Sequence, residues 1–232
     1  MHKYAIITGA SRGIGKTCAQ LFSEQGWQVI SISRQKCEVA NVTQLHLDLG
    51  KASYQELQTA LQAVANADQI CLIHNAAAFY KDSIQTIEQE QWHNSVAVNL
   101  TTPIVLNQVL IPWMKAGSAI IYVGSTLAEK AVKNTASYVI TKHAQVGLMR
   151  ATCQDLDNTG IHTCCICPGF TDTEMLRQHT HNDPTILNAI TQQVCARRLI
   201  QPREIAETIY FCATHPVING EVIHANLGQL AN

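Results

Sequence analysis

With 232 residues, 47% of them hydrophobic and only 14% charged, the chain can bury one substantial core and has the wrong composition for a disordered polymer. A formal net charge of -1, without any Lys/Arg run, argues against a nucleic-acid or anionic-membrane surface. The longest apolar runs read as too short to cross a bilayer, and a strand-like segment stands at the N-terminus in place of a signal peptide, so the sequence predicts a cytoplasmic protein.

Short apolar runs then alternate with longer helical stretches, the signature of a parallel sheet covered on both faces. In chain order the predicted strands are YAIIT (4–8), QVISIS (28–33), QLHLD (44–48), QICLIH (69–74), AIIYVGS (119–125), HTCCIC (162–167) and EVIHAN (221–226). Helices are predicted at about 13–25, 53–66, 89–115, 135–157 and 203–214. The stretch RQKCEVANVT between the second and third strands is short for a helical crossover, which needs about a dozen residues, so a loop or single turn is expected there. No repeat or low-complexity linker interrupts the series. It reads as α/β: a single doubly wound Rossmann-type domain over 1–232, with a central parallel sheet of about seven strands. Nine cysteines, an odd number without paired spacing, point to a reducing compartment. Cys164, Cys165 and Cys167 cluster in a predicted buried strand, where neighbours face opposite sides, and no second Cys/His pair at zinc spacing accompanies them. Core packing is expected there, and no metal.

Directly after the first strand, TGASRGIG places Gly9, Ser11, Arg12, Gly13, Ile14 and Gly15 at the entrance to a helix. In open α/β sheets, ligands bind beyond the carboxyl ends of the strands, near the point where strand order reverses. Glycines there permit a tight turn and close backbone approach to a pyrophosphate, whose charge the helix N-terminus favours. The spacing is G-x-x-x-G-x-G, and a glycine trio alone would equally suit an ordinary turn. At the end of the second strand an acid would select NAD by bonding the adenosine ribose 2′-hydroxyl. Ser33 and Arg34 stand there instead, and with Arg12 they offer a hydroxyl and two guanidiniums to a 2′-phosphate. NADP(H) is therefore expected over NAD(H); the other reading is that either arginine simply points to solvent.

Tyr138 and Lys142 stand four apart in a predicted helix and so share a face. With the glycine loop they complete a pattern that resembles the short-chain dehydrogenase/reductase family, in the branch carrying Tyr-x-x-x-Lys. The resemblance runs from the first strand to near the C-terminus, through TGASRGIG, HLDL (Asp48, Leu49), HNAA (Asn75, Ala76, Ala77), VNL around Asn99, VGS ending at Ser125, YVITK, and PGFTDT from Pro168. It implies that Asp48 and Leu49 hold the adenine and that Asn75, Ala76 and Ala77 pack beside the adenosine ribose. It implies that Pro168, Gly169, Thr171 and Thr173 line the nicotinamide side. It also implies a catalytic tetrad of Asn99, Ser125, Tyr138 and Lys142, the last two touching the cofactor as well. There are two departures. Ala77 adds a methyl where the family's Asn-Asn-Ala-Gly has none, and the NGEVIHANLGQL ending lacks the usual double glycine.

The implied chemistry is carbonyl reduction, in which hydride goes to carbon and Tyr138 gives a proton to oxygen. A free tyrosine, with a pKa of about 10, is poorly matched to proton exchange at neutrality. Lowering it by about 2 units takes about 2.7 kcal/mol, and one ammonium about 5 Å away offers roughly 3 kcal/mol at an effective dielectric of 20. Lys142 is sufficient in principle. Ser125 would donate to the developing oxyanion, and Asn99 would help hold a water linking the lysine to solvent. By resemblance, specificity falls to STLAEKAVKNTAS (125–137) and to a lid at about 174–199, in which Arg197 and Arg198 either meet an acidic carrier or stay solvated. The pattern is most similar to 3-oxoacyl-carrier-protein reductases and carbonyl reductases. A small-molecule or acyl-carrier substrate is expected, with a homotetramer, or failing that a dimer, formed through the two long helices. An NAD-linked alcohol or dihydrodiol dehydrogenase is the first alternative. A non-catalytic NADP-sensing regulator is the second, disfavoured because such proteins typically lose the tyrosine.

Overall fold

A computed structural model describes residues 1–229. Seven strands lie parallel in one sheet in the order β3-β2-β1-β4-β5-β6-β7. They are β1 (Lys3–Thr8), β2 (Gln28–Ser33), β3 (Val42–His46), β4 (Gln69–His74), β5 (Ala119–Val123), β6 (His162–Pro168) and β7 (Glu221–Ala225). The α-helices are α1 (Gly13–Glu24), α2 (Tyr54–Ala60), α3 (Gln89–Val96), α4 (Thr102–Leu110), α5 (Ala136–Asp155), α6 (Glu174–His179), α7 (Pro184–Gln192) and α8 (Pro202–Thr214).

Helices cover both faces, so alternate residues of the same strand enter different cores. Ala5 and Ile7 of β1, Ile121 and Val123 of β5, and Cys164 and Ile166 of β6 join Phe22 of α1 and Ile205 and Ile209 of α8. Ile6, Ile120, Tyr122, Cys165 and Cys167 point the other way, to Leu57 of α2, Leu106 of α4 and Met149 of α5. The cysteine cluster is thus divided between two cores by the pleat of β6.

Most predicted elements appear within a residue or two of their expected bounds, and residues 34–41 between β2 and β3 form no helix. Three differences have physical causes. First, β3 starts and stops two residues earlier than expected, because it pairs with β2 alone and its last partner is Ser33, opposite His46. Gln44 fixes that register by accepting from the Cys37 N–H at 2.9 Å. Second, the helix expected over 53–66 stops at Ala60 and continues only as a 3₁₀ turn, Gln62–Val64.

Third, the helix expected over 89–115 is interrupted by a π-helical turn, Ala97–Thr101, which carries Asn99, and ends in a 3₁₀ turn, Ile111–Trp113. The combined stretch Gln89–Trp113 is long enough, and over an 18-residue window with a mean hydropathy of 1.3 apolar enough, to cross a membrane by length and composition. This corrects the expectation that every apolar run is too short. In the fold, 44% of that window is buried and Leu106, Val109 and Leu110 lie in the core, so its apolar side has a partner within the molecule.

At the C-terminal end, Leu227 occupies the left-handed region (φ 53) where the family pattern would place glycine freedom. A side chain there costs about 1 kcal/mol. Leu230, the last residue of the NGEVIHANLGQL pattern, lies outside the described residues.

Candidate active site

The order of strands reverses between β1 and β4, so their carboxyl ends flank a crevice. Thr8 and Asn75 lace the two ends together. The Thr8 hydroxyl accepts from the N–H groups of Asn75 and Ala76, each at 3.0 Å, and the Asn75 amide donates to the carbonyls of Thr8 (2.9 Å) and Gly9 (3.1 Å). Gly9 (φ 69) and Gly13 (φ 54) need left-handed backbone. Gly15 is required for a different reason: a Cβ there would fall 2.4 Å from both the Gly9 carbonyl oxygen and the Asn75 amide nitrogen. A methyl on Gly13 would meet the Thr173 side chain at 3.2 Å. The loop is therefore a cradle that any Cβ would fill, opening at the N-terminus of α1, where no side chain caps the free N–H groups. This is the geometry a pyrophosphate requires, and a dinucleotide fits it. Beside it, between Gly13, Lys16, Thr17 and the α6 residues Glu174, Arg177 and Gln178, lies an open cleft of about 610 Å³.

Arg12 and Arg34 are exposed, and among the described residues neither side chain has an ion-pair or hydrogen-bond partner. Ser33 is different. Its hydroxyl donates to the Gln35 carbonyl at 2.7 Å and meets the Gln44 amide at 3.2 Å, so it serves the turn after β2. Asp48 is exposed and accepts from the Gly50 N–H at 3.1 Å, and the carbonyl of buried Leu49 accepts from the Thr102 hydroxyl. Ala77 lies outside the left-handed region, so its methyl carries no backbone penalty. Its neighbour His74, first in HNAA, joins a buried chain: Nε2 pairs with Asn107 at 2.9 Å, Asn107 donates to the Tyr122 hydroxyl at 2.7 Å, and that hydroxyl meets Thr152. Burial holds the His74 imidazole neutral, its pKa lowered to about 4.

Across the crevice, Gly169 is pressed against Asn226, its N–H donating to the Ala225 carbonyl, and Thr171 and Ile200 form an isolated parallel bridge. Pro168 ends β6, and Thr173 caps α6 by accepting from the Leu176 N–H at 3.3 Å.

Ser125 follows β5 in extended backbone; its Oγ accepts from the Leu127 N–H at 3.1 Å, which leaves its single hydrogen to donate elsewhere. That hydroxyl lies against the Tyr138 phenol and pulls its pKa down, but burial dominates and the phenol is pushed up to about 12. The expectation that Lys142 lowers the tyrosine is not met in this arrangement. The Lys142 ammonium donates instead to the Val123 carbonyl at 2.6 Å and to Gln145 Oε1 at 3.0 Å, and sits 5.5 Å from the Tyr138 ring centre. The side chain is 1% exposed, and burial lowers its pKa to about 8. Asn99 is fully buried: Oδ1 accepts from the Ala78 N–H at 2.8 Å, while Nδ2 donates to the Ala78 carbonyl and the Thr141 hydroxyl. Its amide docks the loop after β4 onto α5 beside Lys142 and does not touch the lysine.

Several residues at the site escape sequence reasoning. Phe79 packs its ring 4.7 Å from that of Tyr138, and His179 of α6 meets Phe79 edge-on at 4.2 Å, so an aromatic chain joins the phenol to the expected lid. Buried Asp82 accepts from the Ser137 N–H at 3.0 Å and steadies the first turn of α5. Gln145 lies on the inward face of α5 among buried Ser137, Thr141, Lys142 and Thr152, so it stands out from no apolar pattern. Arg198, considered for an acidic carrier, is bound by both guanidinium arms to Glu204 at 2.7 and 2.8 Å, and Arg197 bonds Gln192.

A seven-stranded parallel sheet with a glycine cradle at its switch point defines a dinucleotide-binding fold of the oxidoreductase type. A family model described as enoyl-(acyl carrier protein) reductase matches residues 9–229. The 3-oxoacyl-[acyl-carrier-protein] reductase FabG of Vibrio cholerae is 29% identical over 98% of this chain and 97% of its own. Among solved structures, a 3-oxoacyl (acyl-carrier-protein) reductase from Agrobacterium tumefaciens with NADP bound superposes with a TM-score of 0.87 at 23% identity, over 97% of this chain and 93% of that one. A 4-hydroxyisoleucine dehydrogenase complexed with NADH superposes at 0.89 and 22% identity, over the full length of both. The chain belongs to the short-chain dehydrogenase/reductase family and is an oxidoreductase close to the 3-oxoacyl-carrier-protein reductases.

Proposed function

We propose that the protein is an NADP(H)-dependent reductase that converts a ketone or 3-oxoacyl thioester to an alcohol, with Tyr138 as the proton donor. The observation that carries this reading is the gathering of Ser125, just after β5, with Tyr138 and Lys142, one turn apart on α5, the ammonium lying 5.5 Å from the Tyr138 ring centre. Bound NADPH would supply the hydride. The chain's own residues do the rest. A phenol with a pKa of about 12 is fully protonated at neutral pH and ready to donate. Ser125 offers its free hydrogen to the carbonyl oxygen as negative charge develops. After the transfer the phenolate needs a cation, and Lys142 is the charged group one helical turn away. Asn99 and Asp82 hold α5 so that these groups keep their spacing.

Exposed, unpartnered Arg12 and Arg34 support NADPH over NADH, since each fork can bind phosphate oxygens in pairs. Residues 174–199 act as the lid, hinged where His181 and Asn182 hold consecutive left-handed conformations (φ 52 and 53). A homotetramer, or failing that a dimer, and a cytoplasmic location belong to the same reading. Half-exposed Ile104 of α4 and Ile140 of α5 fit helix-to-helix association, and sedimentation showing only monomer would remove that part. The direct test is consumption of NADPH and of NADH across 3-oxoacyl thioesters, diketones, quinones and pterins. Carbonyl-dependent oxidation, at least tenfold faster with NADPH, is expected; turnover with NADH alone would overturn the cofactor assignment.

A further inference from the structure

Gln145 is wholly buried on the inward face of α5, between Lys142 and Met149. Its Oε1 accepts from the Lys142 ammonium at 3.0 Å, and its Nε2 has no partner among the described residues. An amide that is buried with one end unsatisfied is a net liability to the fold, and an apolar side chain would suit its neighbours Val146 and Met149 better. Among the described residues, the only polar interaction this side chain makes is with the lysine.

That interaction sets where the ammonium rests. Lys142 donates to the Val123 carbonyl at the end of β5 and to Gln145 on its own helix. An ammonium has three donors, and two of them are engaged by Val123 and Gln145 while the group sits 5.5 Å from the Tyr138 ring centre. With one donor left, the ammonium must release at least one of these two bonds to serve Tyr138 and a dinucleotide together.

We infer that Gln145 is a positioning residue whose carbonyl oxygen holds the Lys142 ammonium in a parked position against the Val123 carbonyl, so that the dinucleotide must compete with it for the lysine. The inference rests on the dinucleotide reading above. When only a fraction of the protein has its lysine released, the apparent dissociation constant is the intrinsic one divided by that fraction. Gln145 thereby lowers cofactor affinity and ties lysine release to cofactor entry.

The test is fluorescence titration with NADPH of the wild type, Gln145→Leu and Gln145→Glu, each also combined with Lys142→Met, with thermal melts as a check on folding. Removing one acceptor from the parked ammonium is expected to tighten NADPH binding about three- to tenfold. Gln145→Glu, which holds the ammonium harder, is expected to weaken it by a similar factor. Both changes should vanish in the Lys142→Met background, where there is nothing to park. Unchanged or weaker binding by a folded Gln145→Leu, or shifts that persist without Lys142, would overturn the inference. Should Gln145→Leu fail to melt cooperatively, Gln145→Glu decides alone: binding as tight as wild type or tighter overturns it. Absence of NADPH binding by the wild type would instead refute the cofactor reading, so the two failures are distinct.

Discussion

Removal of the ammonium by Lys142→Met probes the electrostatics of the site most sharply, because Met keeps the bulk of the stem and deletes only the charge. In the parked arrangement the phenol stands at about 12, raised by burial. To exchange protons near pH 8 it must fall by about 4 units, or about 5 kcal/mol. An ammonium brought to about 4 Å at an effective dielectric of 20 supplies about 4 kcal/mol, close to 3 units and most of that fall; the lowering by the Ser125 hydroxyl is already contained in the starting value. The sign follows. In alcohol oxidation the phenolate is the base, so kcat rises with pH through the tyrosine pKa; in carbonyl reduction the phenol is the acid, so kcat falls above it. The assay is the pH profile of kcat in the oxidation direction, using the alcohol product of the best carbonyl found with NADPH. Lys142→Met should move the inflection up by about 3 units and lower the rate at pH 7 by about a thousandfold. An inflection within roughly half a unit of wild type would refute the role given to Lys142.

Three other substitutions probe the frame around that chemistry. Gly15→Ala places a methyl 2.4 Å from the Gly9 carbonyl and the Asn75 amide, which should cost about 1–3 kcal/mol in thermal or urea unfolding and abolish saturable NADPH binding. Arg34→Glu puts an acid near the expected 2′-phosphate, so the NADPH-to-NADH ratio of kcat/KM should fall at least tenfold; an unchanged ratio would mean that the arginine points only to solvent. Asn99→Leu removes three hydrogen bonds and leaves both backbone groups of Ala78 without their partner. It should destabilise the fold by about 2–4 kcal/mol, read as a lowered urea midpoint at constant m.

The sheet was legible because burial on both faces forces continuous apolar strands, and the short 34–41 connection could hold no helix. The Tyr138–Lys142 spacing and the glycine loop were legible for a related reason, since helical and turn geometry translate directly into residue intervals. What escaped depends on which of several allowed contacts wins. Periodicity treats 89–115 as one helix and cannot show that Asn99 sits in a π turn, bonded to Ala78 and Thr141. It places Lys142 on the face of Tyr138 but not its rotamer, which is decided by a carbonyl on β5 and by Gln145. The bounds of β3 were missed by two residues because an edge strand answers to a single neighbour. The contact of Phe79 with His179 joins residues 100 positions apart, beyond the reach of any local pattern.

Tyr138→Phe tests the central claim most directly, because it deletes one oxygen and leaves the aromatic packing on Phe79 in place. Turnover of the best carbonyl substrate and NADPH binding should be measured on the same preparation. A loss of kcat of about 10²–10⁴-fold is predicted, with the NADPH dissociation constant within about threefold of wild type. Turnover within about tenfold of wild type would contradict the account and assign the proton to another group.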